Sequence, residues 1–422
     1  MNYLRRGASL LFLALLLLGF LLCRQSRSFA PLNANDPLAG MGVNIHFTDP
    51  RPGEMEMISQ AGFRWVRMDL KWSETEKSRG VYDFSAYDRL LSHLDKFHLR
   101  ALLIFDYTNS LYDENKPTHT DEGRAAFSRW AAAAVRHFKG RGVIWEIWNE
   151  PNGAWFWRPK ANANDYAKLA LSVSKAIHRV APHEMVVGPA LSGYQMDFLE
   201  VTAKMGVLAY WSGITIHPYL RSGPETYGQA YDQTRQLIDR YAAPGQRLNV
   251  MCGESGYTTT WKGVDEVIQG KYLARLFLFD VLSHVPLTIW YDWRNDGTDP
   301  KDPESNFGTV RNEYHSGANP VYDPKPAYLA ARTYSQQLSG YRFKERLPVG
   351  TSEDYVLSFT QGENVRLVAW TSASFPQEVR IALPDGAYHV TNFDGQTGPT
   401  RQAIHGELNM MVDDGPRYLQ KQ

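Results

Sequence analysis

The chain has 422 residues, 43% hydrophobic and 21% charged, and its 45 Lys and Arg balance its 45 Asp and Glu to a formal net charge of zero. That balance, without a basic stripe or Lys/Arg run, argues against a nucleic-acid partner, and the length suits a barrel plus a smaller module. Two cysteines, Cys23 and Cys252, are too few for a disulfide framework.

The N-terminus reads as a targeting segment. Arg5 and Arg6 precede an uncharged, Leu-rich run from Gly7 to Cys23, and Ser28-Phe29-Ala30 follows. The run fits either a cleaved signal or a retained membrane anchor. Residues 1–30 are therefore set apart, and the remainder is expected outside the cytoplasm: periplasmic, membrane-anchored or secreted.

From about residue 40 to 300 short apolar runs alternate with helical stretches, the pattern of βα units and a parallel sheet. The predicted strands are Met41–Phe47, Phe63–Leu70, Arg100–Tyr107, Val143–Trp148, Met185–Ala190, Gly213–His217, Arg247–Cys252 and Leu287–Trp290. Most are apolar nearly throughout, as strands buried on both faces are. Gly123–Phe138, Asp165–Val180 (with Asn164 or Asp165 as cap) and Val264–Leu282 read as helices between them. Eight such units give a (β/α)8 TIM barrel over residues 31–338. A doubly wound open sheet is disfavoured, since no Gly-rich phosphate loop follows the first strand. After Pro324-Lys325-Pro326 a helix, Ala327–Leu338, closes the barrel. Tyr355–Phe359, Val365–Trp370, Glu378–Leu383 and Ala387–Phe393 then alternate between turn residues and predict a small antiparallel β-sandwich over 339–422.

An active site in such a barrel lies at the C-terminal ends of the strands. Two carboxylates stand where an apolar run breaks: Glu150, after Trp148-Asn149 on strand four, and Glu254, after Cys252-Gly253 on strand seven. Strands four and seven face each other across the mouth. Cleaving a glycosidic bond with retention requires one carboxylic acid to protonate the leaving oxygen and one carboxylate to attack the anomeric carbon, about 5 Å apart. One glutamate at a strand end is ordinarily a solvated loop residue; two on these strands, each in an aromatic frame, are not. Glu150 is read as acid/base and Glu254 as nucleophile.

Around them, Asn149 suits a sugar 2-hydroxyl, or a plain turn. Arg67 either orients Glu254 or pairs with Glu146, which shares the parity of Glu150 and needs a buried partner; one guanidinium can do both. Tyr219 reaches Glu254, and His217 a sugar hydroxyl unless it is a satisfied core residue. Trp290 stacks under a sugar or packs. Trp155, Phe156, Trp157, Arg158 and Lys160 form an aromatic, basic loop after Glu150, with Trp157 in line for a flanking sugar. Eleven of the twelve Trp lie before residue 300, and their flat faces suit sugar rings or core packing. No metal cluster, cofactor loop or Ser-His-Asp order is evident.

Trp148-Asn149-Glu150-Pro151 resembles the acid/base signature of the large clan of retaining barrel glycosidases that includes cellulases, mannanases and β-xylosidases. With Gly42-Val43-Asn44, Arg64-Trp65-Val66-Arg67, Trp157-Arg158-Pro159-Lys160 and the β-rich tail, the chain is most similar to glycoside hydrolase family 39. Within that family it resembles PslG-type enzymes, which cut an exopolysaccharide internally. The resemblance covers roughly residues 40–420 and implies a retaining hydrolase acting on a polysaccharide or oligosaccharide, without cofactor or metal. Trp290-Tyr291-Asp292-Trp293-Arg294 departs from the pattern and puts specificity in doubt. The alternatives are a catalytically silent polysaccharide-binding protein of export or assembly, and an exo-acting glycosidase.

Overall fold

A computed structural model describes residues 32–422; the N-terminal segment read above as a signal or anchor lies outside the described residues. Among these, no helix is long and apolar enough to cross a membrane. Eight parallel strands close into a barrel: β1 Met41–Asn44, β2 Trp65–Lys71, β3 Arg100–Asp106, β4 Ile144–Ile147, β5 Met185–Ser192, β6 Gly213–His217, β7 Asn249–Ser255 and β8 Thr288–Trp290. Closure is made by β1 on β8, with Val43 opposite Trp290. A helix follows each strand: α1 Glu54–Gln60, α2 Ser85–Lys96, α3 Asp121–Phe138, α4 Ala163–Val180, α5 Met196–Lys204, α6 Gly228–Tyr241, α7 Glu266–Leu282 and α8 Pro326–Leu338.

The period-2 alternation of strands sorts the side chains into two cores. Trp65, Leu102, Ile104, Ile144, Val187, Met251, Leu287 and Ile289 fill the barrel. The intervening residues, such as Val66, Leu103, Trp145 and Trp290, join the layer between barrel and helices. Helix starts follow local capping chemistry: Thr120 accepts from the Gly123 N–H at the start of α3, and Asn162 accepts from the Asn164 and Asp165 N–H groups at the start of α4. The cap of α4 thus falls two or three residues before the expected Asn164 or Asp165.

A hairpin, β9 Val310–Tyr314 with β10 Tyr322–Pro324, sits between β8 and α8. Beyond α8 come β11 Arg342–Arg346, β12 Asp354–Gln361, β13 Asn364–Thr371, β14 Gln377–Ala382, β15 Gly386–Asn392, β16 Arg401–Ala403, β17 Glu407–Val412 and β18 Arg417–Lys421. Six of them form one antiparallel sheet, β11-β12-β13-β18-β15-β16, and β14 pairs with β17 in a second. Val356, Leu367, Ala369 and Leu419 face the two-stranded sheet in a separate core. Their neighbours Tyr355, Leu357, Val368, Trp370 and Tyr418 belong to the barrel's own hydrophobic layer. The large sheet is therefore buried on both faces, which fastens the sandwich to the barrel.

Candidate active site

Alternation along β2 sends Arg67 inward above Trp65, and along β4 it sends Glu146 inward above Ile144. Arg67 is 1% exposed and ties four residues together. Its Nε donates to Glu146 Oε2 at 2.8 Å, its Nη2 to Asn149 Oδ1 at 2.8 Å, and its Nη1 to Asn44 Oδ1 at 3.4 Å and to Glu254 Oε2. Burial works against the Arg67 charge, but the Glu146 and Glu254 carboxylates outweigh it, and its pKa stands above the ordinary arginine value. The single guanidinium serves both the structural pair with Glu146 and the orientation of Glu254.

Glu254 needs a break in the strand to reach the mouth. Met251 points into the barrel, so strict alternation would send residue 254 to the helix side. The β7–β8 register shifts between Cys252 and Ser255, and this irregularity re-aims Glu254. Gly253 makes the turn possible: a Cβ there would stand 3.0 Å from Thr215 and 3.2 Å from both Glu146 Oε1 and His217 Nε2. Tyr219 O–H donates to Glu254 Oε1 at 2.7 Å. Two donors, one of them charged, thus hold both oxygens of Glu254 as a carboxylate.

Glu150 sits at the opposite strand end in a different environment. Its backbone and that of Trp148 occupy the left-handed region, at φ 46° and φ 68°, which costs non-glycine residues about 1 kcal/mol or more each. The Glu150 N–H to Ala190 carbonyl bond and the Trp148 N–H to Phe105 carbonyl bond, both 3.1 Å, hold this turn. His217 Nδ1 lies 2.9 Å from Glu150 Oε1. Burial pushes the Glu150 carboxyl up to about 7, against the opposing Ser192 hydroxyl and Arg67 charge. Burial also lowers His217 to about 4, so the imidazole is neutral near pH 7. A neutral imidazole suits both states of its neighbour: it accepts from protonated Glu150 and, as the other tautomer, donates to the carboxylate.

Oxygens of Glu150 and Glu254 and a ring nitrogen of His217 all lie within 4.8 Å of one another. That places the two carboxyl groups at the separation of a nucleophile and its acid/base partner, with too little room for a water between carboxylate and sugar. The same three residues have donor atoms close enough for a metal ion, as do His46, Asp292 and Asp296. In the first group Arg67, Tyr219 and the His217–Glu150 bond engage both Glu254 oxygens, Glu150 Oε1 and His217 Nδ1, and His217 Nε2 is without a partner.

The remaining residues singled out from sequence fall into two sets. Asn149 is 7% exposed; its carbonyl oxygen is taken by Arg67, and its side chain also bonds Tyr107. Trp157 and Trp290 present no face to the mouth. Trp157 is 3% exposed and packs on Trp148 at 4.9 Å and Tyr166 at 5.9 Å, because the turn closed by its N–H on the Gly153 carbonyl folds it inward. The exposed aromatic of that loop is Trp155, at 81%. Trp290 is fully buried in the barrel–helix layer, because Ile289 takes the inward position on β8. The aromatic at that strand end which stands by the site is Tyr291, 5.6 Å from His46, with the Glu254 charge acting on its hydroxyl.

Sequence reasoning passed over His46, Asp106 and Asp292. His46 Nε2 lies 3.4 Å from Asp292 Oδ2. Burial lowers the His46 pKa, but the Asp292 contact dominates and lifts it to about 9; burial lifts Asp292 to about 7. Asp106 is fully buried and raised well above the carboxylate range, chiefly by burial and then by Asp69. Asp292 has the His46 ring nitrogen as its partner, and Asp106 faces Asp69. Asp106 and Asp292 both end an apolar run, the same signal that marked Glu150 and Glu254.

A closed (β/α)8 barrel with paired carboxyls at the ends of β4 and β7 is the architecture of the retaining glycoside hydrolase class. Residues 34–273 match the model of the cellulase family, glycosyl hydrolase family 5. The chain belongs to that family, and the matched span holds both Glu150 and Glu254. A β-xylosidase of Geobacillus stearothermophilus is 25% identical over 231 residues, 46% of this chain and 45% of that relative, so the match spans less than half the relative's length. Among solved structures, a family 39 glycoside hydrolase from Bacteroides cellulosilyticus WH2 superposes with a TM-score of 0.78 at 25% identity, over 92% of this chain and 82% of that one. A family 39 β-xylosidase from Caulobacter crescentus shares the fold, with a TM-score of 0.68 at 18% identity over 94% and 98% of the two chains.

Proposed function

We propose that the protein hydrolyses O-glycosidic bonds of a polysaccharide by double displacement, with Glu254 as nucleophile and Glu150 as acid/base. The observation that carries this is the approach of the two carboxyls within 4.8 Å, one charge-paired and one driven towards its protonated form. Glu254 attacks the anomeric carbon while Glu150 gives its proton to the leaving oxygen. The resulting carboxylate of Glu150 then takes a proton from water, which displaces Glu254 from the sugar. Throughout, His217 accommodates both forms of Glu150, and the Asn149 amide is placed to meet a hydroxyl of the sugar.

The likeness to family 39 supports a β-linked substrate of that family's kind, and Trp155, standing in solvent beside the acid/base loop, supports a subsite flanking the point of cleavage. The reading adopted is internal cleavage of a bacterial exopolysaccharide, in the manner of PslG-type enzymes, by a protein exported through its N-terminal segment and anchored or released outside the cytoplasm. The test is incubation of the purified protein with exopolysaccharide from its own host and with xylan, followed by sizing of the products. Intermediate oligosaccharides at the earliest times are expected. Monosaccharide alone at those times would turn the reading to exo action, and no cleavage beyond that of Glu254→Gln protein would remove it.

A further inference from the structure

A cavity of about 640 Å³ lies at the seam between barrel and sandwich, away from Glu150 and Glu254. Its walls come from the segment after β6, from α7, and from the β11–β12 and β13–β14 connections of the sandwich. The volume is that of a ligand site rather than a packing defect.

The lining chemistry narrows the ligand. The one cationic side chain in the wall, Arg275, is committed to Glu225 through two bonds of 2.8 and 2.6 Å, and Glu225 also accepts from Trp370 Nε1 at 2.7 Å. Asp414 is paired with Lys271 at 2.7 Å. No cation in the wall is left for an anionic ligand, and Glu353 adds a negative charge to it. What faces the space otherwise is hydroxyl and aromatic: Ser222, Ser374 and Tyr272 among them, with Phe375 at the lip. Phe375 is 76% exposed. Of the exposed large apolar residues among those described, Trp155, Tyr194 and Phe375 are aromatic, and the two most exposed flank a cavity or a catalytic loop. Hydroxyl donors and acceptors around a free aromatic face suit a pyranose, with its equatorial hydroxyls and apolar C–H face.

The cavity is also joined to the catalytic mouth. Tyr219, which holds Glu254, lies three residues before Ser222, a chain distance of at most about 10 Å. Tyr257, three residues after Glu254, donates to the Ser222 carbonyl at 2.9 Å. One short segment is therefore braced from the nucleophile strand and shared by both spaces.

We propose that this seam cavity is a second glycan-binding site, which holds an uncharged stretch of the same polysaccharide whose cleavage is proposed above, with Phe375 as its stacking platform. The proposal rests on that functional reading for the identity of the glycan, but its test needs no turnover. Glu254→Gln protein is run in native gels containing xylan, galactomannan, mixed-linkage β-glucan or polygalacturonate. At least one neutral polymer is expected to retard it, and polygalacturonate is not. On that polymer Phe375→Ala is expected to weaken binding about ten-fold, Phe375→Trp to retain it, and Ala373→Arg, which fills the space, to weaken it. Both positions are on a loop at the surface, and unchanged melting temperatures establish that the variants fold. Retardation by no neutral polymer, equal retardation by polygalacturonate, or variants that bind as the parent does would overturn the proposal. Failure of the glycosidase reading shows separately, as a wild-type protein that cleaves nothing.

Discussion

Replacing Arg67 by methionine tests whether one guanidinium serves both fold and reaction. In Arg67→Met, Glu146 keeps its fully buried position but loses the partner 2.8 Å away. Removing one member of a buried ion pair costs about 3–5 kcal/mol, because the remaining charge is uncompensated. Glu254 loses its charged donor in the same step, and loss of such a preorganised donor lowers kcat by about 10²–10³-fold. The double variant Arg67→Met/Glu146→Met separates the two effects. An apolar pair in place of the buried ion pair should restore stability to within about 1 kcal/mol of wild type. Activity should stay low, since Glu254 still lacks Arg67. Urea unfolding followed by tryptophan fluorescence measures the first quantity, and kcat/KM on an aryl glycoside cleaved by the wild type measures the second. If Arg67→Met were as stable as wild type, or if the double variant regained activity, the dual role would be refuted.

Other consequences follow from the carboxyls. Glu150 enters the reaction protonated and its pKa is raised to about 7, so kcat/KM should fall as pH rises through about 7; Ser192→Ala removes a hydroxyl that lowers this pKa, so the falling limb should move to higher pH. With azide present, Glu150→Ala should release a glycosyl azide of retained configuration and Glu254→Ala one of inverted configuration, read by NMR of the product; swapped outcomes would exchange the two roles. Asp280, buried between the Tyr231 and Thr288 hydroxyls, is raised by burial from 3.8 to about 7. Its folded pKa lies above the unfolded one, so its contribution to stability is full below about pH 3.8 and lost as pH rises through 7, on the order of 4 kcal/mol. Asp280→Asn should remove that slope from the pH dependence of urea unfolding.

The barrel was legible because its strands are buried on both faces and so appear as unbroken apolar runs. Gly213–His217 is found with the bounds expected, and the other seven strands differ by a few residues at their ends. The tail was legible only in part. Glu407–Val412 buries Leu408, Met410 and Val412, but the consecutive Met410-Met411-Val412, with Met411 exposed, blurs its alternation. Arg342–Arg346 and the hairpin of Val310–Tyr314 are predominantly polar edge elements without an apolar face to read. At the site, the charged network around Arg67 followed from parity along β2 and β4. The β8 aromatic did not, because parity alone does not say which residues of Leu287–Trp290 form the inward set; Leu287 and Ile289 do, and Tyr291 rather than Trp290 reaches the mouth.

The places where local rules fail are the strongest structural sign of where the chemistry lies. Of the non-glycine residues in the left-handed region among those described, Trp148, Glu150 and Ala190 lie at the ends of β4 and β5, and the others lie in turns elsewhere, such as His98, Asn115 and His284. Among the described residues, two buried polar atoms without partners lie at the same mouth, Glu146 Oε1 and His217 Nε2. Others lie away from it, such as Arg366 Nε and the Tyr418 hydroxyl in the sandwich, while Asp280 and Glu225 are fully engaged by neighbours. A fold selected for stability alone would fill such positions with apolar side chains, since each unmet acceptor costs about 1–3 kcal/mol. Glu146 Oε1 accepts, and His217 Nε2 accepts or donates according to its tautomer. A sugar hydroxyl both donates and accepts, so a saccharide in the mouth would complete the hydrogen bonding that the protein leaves open, and its binding would be coupled to the carboxyls proposed to carry out the reaction.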